Sequence, residues 1–279
     1  MILKNKIGIM QGRLLPKYLG KYQAHPIGYW QKEFNFANHL GLDCIEFILD
    51  FDQSENNPLL KSNGLNEIQK IEKISGVQVL SICADYFMEA PIHSDNFDVV
   101  DESLVILDRL IKNASLINAS DIIIPCVDKS SLKNKKNIDN FVNNIKLVVK
   151  TAETLNVNIC LETDLEPKIF SNILDKIGSN NVTVNYDIGN SAAMGYDPVE
   201  EFKAYGDKIT DLHIKDRKLG SGSVPLGTGS ANFNKIFDLI QKYDYKGIIV
   251  FQAFRDDEGV EIFKKQKSWF FKKLNQREA

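Results

Sequence analysis

The sequence predicts a single closed (β/α)8 barrel, and three observations lead to this fold class. Eight short runs rich in Val and Ile alternate with longer amphipathic segments along the 279 residues. Most of these runs are almost continuously apolar, as expected for parallel strands that are covered on both faces. A doubly wound open sheet usually has fewer strands, whereas eight strands and about 250 residues are typical of this barrel. Because no Pro-, Gly- or Ser-rich linker interrupts the alternation, we expect one α/β domain over residues 1–279.

The apolar runs give the predicted strands in chain order. They are Ile7–Arg13, Cys44–Asp50, Val77–Asp85, Asp121–Val127, Val157–Asp164, Val182–Asp187, Ile209–Asp216 and Gly247–Phe254. Most of them end in a polar or charged residue. We expect these last residues at the carboxyl-terminal face, where barrels of this kind carry their active sites.

The segments between the runs have the three-to-four spacing of apolar residues that is typical of helices packed on one face. This spacing is clear over Ser103–Ile117 and over Ile138–Leu155. Asp197 followed by Pro198 indicates a helix start, with an N-cap and a proline in the first turn. Some glycines stand where helical patterns stop and are expected in the left-handed conformation that ends helices. They are Gly41, Gly76, Gly178 and Gly206.

Composition and charge argue against several classes of protein. Lys and Arg number 34 against 37 Asp and Glu, a formal net charge of -3, so the sequence lacks the basic excess of a nucleic-acid-binding protein. No apolar stretch approaches the roughly 18 residues of a membrane-spanning helix, and the first residues lack the long apolar region of a signal peptide. The cysteines are far apart within apolar runs, so we expect buried, reduced thiols. These observations predict a soluble, cytoplasmic protein with no nucleic-acid or membrane partner.

Polar residues end four consecutive predicted strands. Glu162, Asp187, His213 and Gln252 stand at or near the ends of strands five to eight. A carboxylate that points into a barrel is costly unless it is paired, hydrogen-bonded or bound to a metal ion. Two carboxylates, an imidazole and an amide oxygen suit one divalent cation, so we expect a site for Mn, Mg, Co or Zn.

An arrangement without metal would satisfy the same side chains. Glu162 and Asp187 would then pair with Lys215 or Arg217, and His213 would be a hydrogen-bonded core histidine. Each residue alone fits this arrangement. Their occurrence together at equivalent ends of consecutive strands favours the metal site.

The first two predicted strands supply further polar residues. Gln11 and Arg13 share one face at the end of strand one, and Glu46 lies within strand two. We expect them to complete the pocket wall as substrate-binding residues, with Arg13 meeting an anionic group. A structural ion pair between Arg13 and Glu46 is the alternative.

The stretch Lys218–Ser230 is rich in Gly and Ser and follows strand seven. Glycine-rich loops at this place in a barrel often bind phosphate, and Arg217 stands beside the stretch. The stretch lacks the spacing of a P-loop, however, so a merely flexible loop is the alternative.

Five segments carry a family resemblance that extends over essentially the whole chain. They are Gly41–Glu46, Leu161–Thr163, Tyr186–Asn190, His213–Arg217 and Pro225–Gly229. The sequence resembles the xylose isomerase-like TIM-barrel superfamily, the sugar phosphate isomerase/epimerase group that also includes endonuclease IV. The resemblance implies one divalent metal ion held by Glu162, Asp187 and His213. The family's fourth ligand is a glutamate, whereas this chain has Gln252.

The resemblance also implies an activity on a small carbohydrate or sugar phosphate. The expected enzyme is a metal-dependent sugar isomerase or epimerase that acts through an enediolate, with Glu162 as ligand and base. Lys215 would be a second catalytic residue. Asn190 and Arg217 would join Arg13 in binding the substrate.

The amide at position 252 affects the expected chemistry. The family's epimerases use two glutamates, one on each face of the carbon, and an amide cannot exchange a proton at neutral pH. A single-base isomerisation by Glu162 would need no second group. Otherwise the second proton has to come from another residue, for which the candidates are Glu46, Asp164, Asp216 and Lys215.

Other functions are open at this stage. A dehydratase acting on a keto-polyol would share the proton abstraction, and a non-catalytic sugar-binding barrel would need no base. The endonuclease branch is disfavoured, because Asn190 stands where that branch has a histidine and the chain has only 4 histidines. The aromatic C-terminal segment, which includes Phe263, Trp269, Phe270 and Phe271, either closes the barrel or forms a contact in a homo-oligomer.

Overall fold

The computed structural model describes residues 4–276. Its parallel strands form a closed barrel, in which each strand pairs with its neighbours in the chain and the last strand pairs with the first. The strands are β1 (Ile7–Met10), β2 (Cys44–Ile48), β3 (Gln78–Cys83), β4 (Asp121–Cys126), β5 (Asn158–Thr163), β6 (Val182–Asp187), β7 (Ile209–Ile214) and β8 (Ile248–Phe251). The predicted (β/α)8 barrel is confirmed, and every predicted run contains one strand.

Helices surround the barrel. They are α1 (Gln31–His39), α2 (Gly64–Ser75), α3 (Tyr86–Glu89), α4 (Phe97–Leu116), α5 (Lys135–Leu155), α6 (Pro167–Ile177), α7 (Ile188–Met194), α8 (Pro198–Tyr205), α9 (Phe233–Lys242) and α10 (Val260–Asn275). None of the helices within residues 4–276 is long and apolar enough to cross a membrane.

Most observed strands end earlier than the apolar runs from which they were predicted. Ladder hydrogen bonding stops at Met10 in β1 and at Cys83 in β3, while Arg13 and Asp85 follow in the loops. The polar residues at the ends of these runs therefore stand above the sheet, where they are free to face a cavity.

The helix ends confirm most of the local predictions. The Asp197 side chain accepts the Val199 N–H at the start of α8, and Gly76 and Gly178 end α2 and α6 with φ of 75° and 72°. Gly41 also has positive φ. The prediction for Gly206 is wrong, since its φ is -56° and it begins a short 3-10 turn. A Cβ at this position would lie 2.9 Å from the Tyr243 ring, so close packing explains the glycine.

The core has two layers. The larger one lies between the strands and the helices, where α10 closes over β8: the rings of Phe263 and Phe270 contact Phe251 at centroid distances of 5.5 and 5.2 Å. A smaller cluster inside the barrel includes Met10, Ile123 and Cys160. All four cysteines are buried and free, as predicted.

Candidate active site

A cleft of about 430 Å³ lies over the carboxyl-terminal ends of the strands. Of the residues predicted from the sequence to form the site, six line this cleft. They are Arg13, Glu162, Asn190, Lys215, Arg217 and Gln252. They come from widely separated parts of the chain, and the closed sheet brings them to one rim because all parallel strands end there.

Glu162, Asp187 and His213 form a buried cluster at the floor of the cleft. His213 Nδ1 lies 3.8 Å from Glu162 Oε2 and 3.9 Å from Asp187 Oδ2. Two ligand atoms bound to one ion at about 2.1 Å each can be at most about 4.2 Å apart. These side chains therefore fit a divalent cation in both ligand chemistry and spacing.

The surroundings of Glu162 and Asp187 shift the pKa values of the two carboxyl groups in opposite directions. Burial, followed by the nearby Asp187 carboxylate, raises the pKa of Glu162 to about 7. Burial alone would also raise the pKa of Asp187, but the Lys215 ammonium 3.0 Å away and other nearby donors hold that pKa well below its ordinary range. Glu162 can thus gain or lose a proton near neutral pH while Asp187 stays ionised.

Two asparagines fix the Glu162 carboxylate. Asn185 Nδ2 donates to Oε2 at 2.8 Å, and Asn190 Nδ2 donates to Oε1 at 2.6 Å. Asn190 is itself held, because its backbone N–H donates to Asp187 at the start of α7 and its Oδ1 accepts from Arg217 at 2.8 Å. This junction, where α7 directly follows β6, sets the orientation of the carboxylate.

The other ring nitrogen of His213 faces away from the cleft. Nε2 lies 2.9 Å from Glu46 Oε1, and both side chains are fully buried. Asn185 Nδ2, a donor, lies 3.1 Å from Nδ1, which suits a ring whose proton is on Nε2. Carboxylates in this position commonly orient a metal-binding histidine.

Lys215 and Gln252 meet beside the cluster. The Lys215 ammonium donates to Asp187 Oδ2 at 3.0 Å and to Gln252 Oε1 at 2.9 Å. The Gln252 amide N–H donates to Gln23 Oε1 at 3.1 Å. The oxygen of Gln252 is thus on the side of the cluster, with the ammonium between it and Asp187.

The remaining predicted residues lie elsewhere. Gln11 is fully buried below the cleft, where its Oε1 faces His25 Nδ1 at 2.9 Å, and Glu46 is buried beneath His213. Arg13 reaches the cleft, but it donates to Tyr22 O and Gln23 Oε1, both at 2.9 Å. The alternative of an Arg13–Glu46 ion pair is wrong, because Glu46 instead accepts from Ser81 and faces His213.

The Gly/Ser-rich stretch after β7 is anchored rather than open. The buried Asp216 carboxylate accepts the backbone N–H groups of Gly227, Gly229 and Ala231 at 2.9, 2.9 and 3.2 Å. These amides are therefore not available to a phosphate. Only Gly222 and Ser223 of the stretch line the cleft, next to Arg217.

Two further cleft residues were not identified from the sequence. Asp85 follows β3 and accepts from Gln23 Nε2 at 2.7 Å and from Cys83 Sγ at 3.3 Å. Asp85 ends a predicted strand, so the rule applied to Glu162 and Asp187 would have found it. Gln23 lies in the loop after β1, and no local pattern distinguishes it from other loop residues.

The sequence matches the model of a known protein family. The family model for the xylose isomerase-like TIM barrel matches residues 34–273. This chain belongs to that family. The resemblance found in the sequence is therefore confirmed, and it extends over most of the barrel.

Several proteins that are similar to this chain are named as sugar epimerases. A Haemophilus influenzae protein named as an L-ribulose-5-phosphate 3-epimerase is 26% identical, over 91% of this chain and 90% of its own. The structure of D-psicose 3-epimerase from Clostridium cellulolyticum H10 matches 97% of this chain and 98% of its own with a TM-score of 0.75 at 16% identity. A structure of the IolI protein with a binding zinc atom has a TM-score of 0.75 at 16% identity and covers 96% of this chain and 99% of its own. At such identities the structural matches establish the fold.

Proposed function

We propose that this protein is a metal-dependent sugar or sugar-phosphate epimerase, within the isomerase class, that acts through an enediolate. The observation that carries the proposal is the buried Glu162–Asp187–His213 cluster at the floor of an open cleft. The names of the curated relatives support a substrate of this class, a ketose phosphate whose reacting C–H bond adjoins a carbonyl.

Glu162 would act as the base. Its carboxylate lines the cleft, and hydrogen bonds from Asn185 and Asn190 hold it in one orientation. Without a bound metal ion, burial raises the pKa of Glu162 to about 7. A carboxylate in this position can accept a carbon-bound proton and give it back. The electron pair of the broken C–H bond would pass to the adjoining carbonyl and give the enediolate.

The divalent ion would be held by Glu162, Asp187 and His213, with the Gln252 amide oxygen as a further ligand. When bound, an ion such as Mn, Mg, Co or Zn supplies Lewis-acid polarisation of the substrate carbonyl. The oxygen of Gln252 suits this role because an amide ligates through its carbonyl oxygen.

Positively charged side chains would bind the substrate around this centre. Lys215 places its ammonium at the floor of the cleft, where negative charge would develop on the enediolate oxygens. As a catalytic residue, Lys215 would stabilise that charge. Arg217 and Arg13 line the walls and suit a phosphate or hydroxyl groups. Asn190 would contact the substrate from the β6 side.

A dehydratase is the second candidate. A Geobacillus kaustophilus inosose dehydratase is 30% identical over 103 residues, which cover 30% of this chain and 33% of its own. A dehydratase would begin with the same proton abstraction but would release a product lighter by one water molecule. Mass spectrometry of the product separates the two.

The deciding experiment is proton exchange in D2O. We expect the Mn²⁺-loaded protein to convert L-ribulose 5-phosphate into its 3-epimer, with solvent deuterium at the reacting carbon. Glu162→Gln removes the base, so conversion should fall by about a hundredfold or more, and so should exchange of a C–H proton that faces Glu162. NMR of the recovered sugars measures both.

The control is Glu166→Gln, which changes a carboxylate near the start of α6 that lines an outer groove rather than the cleft. It should leave exchange at the wild-type rate. Thermal stabilisation by sugars or sugar phosphates without any proton exchange would contradict the epimerase and favour a binding barrel.

A further inference from the structure

Glu162 accounts for proton transfer on only one face of the reacting carbon. Inversion needs a group that can deliver a proton to the opposite face, and Gln252 cannot do so as a neutral amide. The proposed epimerase function, on which this inference rests, therefore requires a second proton-transferring group.

The candidates drawn from the sequence are poorly placed for this role. Glu46 and Asp216 are fully buried and do not line the cleft. Asp164 accepts from Ser131 at 2.6 Å and does not line it either. Lys215 lines the cleft, but its ammonium already donates to Asp187 and Gln252, where loss of a proton would leave Asp187 without its cation.

Within residues 4–276, the carboxylates that line the cleft are Glu162, Asp85 and Asp128. Asp128 is exposed at the rim of the cleft, where it begins a short 3-10 turn after β4 with φ of 52°. Asp85 follows β3, is partly buried and lines the cleft. It is thus the partly enclosed carboxylate that can meet a substrate together with Glu162.

The position of Asp85 is fixed by a chain of hydrogen bonds. Gln252 donates to Gln23 Oε1 at 3.1 Å, and Arg13 donates to the same oxygen at 2.9 Å. Both bonds turn the Gln23 amide so that its N–H points to Asp85, to which it donates at 2.7 Å. The amide at position 252 is therefore linked through Gln23 to the Asp85 carboxylate.

We propose that Asp85 is the second proton-transferring residue of this site and works with Glu162 on the opposite face of the substrate. In one direction the Glu162 carboxylate takes the carbon-bound proton, and the Asp85 carboxylic acid gives its proton to the other face of the enediolate. One C–H bond breaks and one forms, and the carbonyl is restored. Glu162 ends protonated and Asp85 ionised, which is the form that catalyses the reverse direction.

The surroundings of Asp85 suit both of its forms. Burial raises the pKa of Asp85 above its ordinary value and so favours the acid, while the hydrogen bonds from Gln23 and Cys83 favour the carboxylate and oppose that rise. Asp85 also lines a second pocket of about 220 Å³ beside the cleft, together with the exposed Lys21 and Lys129. Water in this pocket can exchange the Asp85 proton after each turnover.

The test uses both 3-epimers, L-ribulose 5-phosphate and L-xylulose 5-phosphate, with Mn²⁺-loaded protein in D2O. In Asp85→Asn we expect inversion to fall by about a hundredfold or more in both directions. Exchange of the reacting proton should persist for the epimer whose C–H bond faces Glu162 and disappear for the other. Glu162→Gln should give the mirror-image pattern, and Asp85→Glu should recover part of the inversion.

The matched control is Asp50→Asn, which changes the neighbouring carboxylate of the second pocket without touching the cleft. It should leave both inversion and exchange near wild-type values. Inversion by Asp85→Asn within about threefold of wild type would overturn the proposal. The proposal would also be overturned if Asp85→Asn lost exchange from both epimers while keeping its thermal stability. Asp85 would then only position other groups. Failure of the wild type to exchange either epimer would instead reject the epimerase function, and this inference with it.

Discussion

At position 252 the side chain has one neighbour, Gln23 Oε1, that needs the N–H of an amide. Its oxygen accepts from Lys215 and its nitrogen donates to Gln23, which in turn donates to Asp85. A glutamate has no N–H to give, so Gln23 would lose one of the bonds that turn it towards Asp85. The amide thus joins the Glu162–Asp187–His213 side of the floor to the β3 side of the cleft.

Replacing the amide by a carboxylate should change metal binding. In Gln252→Glu a negative charge is added beside Asp187, so the affinity for Mn²⁺ should rise by about tenfold or more, which corresponds to roughly 1.4 kcal/mol of added attraction. Calorimetric titration of the metal-free protein with Mn²⁺ measures this. The control Gln241→Glu adds the same charge at an exposed position on α9 and should not change the affinity. Equal affinities of wild type and Gln252→Glu would indicate that residue 252 is not a ligand.

The loop after β7 shows how one buried side chain organises an element. Asp216 has no exposure to solvent and accepts hydrogen bonds from three backbone N–H groups between residues 227 and 231. A Cβ at Gly229 would lie 2.1 Å from Asp216 Oδ1, so only glycine allows this approach. The loop holds Arg217 and Ser223 at the cleft through an antiparallel bridge between them.

Asp216→Asn should loosen this loop. An asparagine turns an NH2 group towards backbone N–H groups and leaves buried donors unpaired, so we expect a loss of about 2 to 4 kcal/mol in the free energy of unfolding. Urea unfolding measures the loss, and faster amide hydrogen exchange at residues 227–231 would assign it to the loop. Asp207→Asn, at an exposed position before β7, should change stability by less than about 0.5 kcal/mol. A stable variant with unchanged exchange would contradict the anchoring role.

At the scale of the whole molecule, His25 connects the start of the barrel to its first helical layer. It is 3% exposed, faces Gln11 across 2.9 Å, and its ring lies 5.1 Å from that of Phe47 and 6.2 Å from that of Trp30. Burial, with a smaller effect of Lys61, lowers the pKa of His25 to about 3. The folded protein therefore keeps this ring neutral where an unfolded chain would protonate it.

This shift predicts a direction for stability against pH. Between about pH 6.5 and 3 the unfolded chain binds a proton at His25 and the folded chain does not. The contribution of His25 to the free energy of unfolding is therefore full above pH 6.5. It decreases as the pH falls, by roughly 1 kcal/mol per pH unit. His25→Phe should show a shallower decline over this range in denaturant unfolding, whatever its stability at pH 7. His39→Gln, at an exposed position at the end of α1, should keep the wild-type slope. Parallel slopes for wild type and His25→Phe would contradict the prediction.

The fold and part of the candidate site were determined by the sequence alone. Eight apolar runs fix the strands, because strands buried on both faces require continuous apolar residues. Parallel strands end at one rim, so Glu162, Asp187 and His213 could be expected together without knowing any contact. Their spacing of 3.8 and 3.9 Å between donor atoms agrees with that expectation.

Only the tertiary structure decided which polar residues become partners. Gln23 and Asp85 are separated by 62 residues and Gln252 and Gln23 by 229, and no local pattern relates such positions. The same holds for Gly206, whose packing against Tyr243 produced a right-handed conformation where the helix pattern indicated a left-handed one. Periodicity reports which face of an element is buried, since that depends on neighbours a few residues away. Hydrogen-bond partners depend on where distant loops close over the barrel, and that is settled only when the whole chain packs.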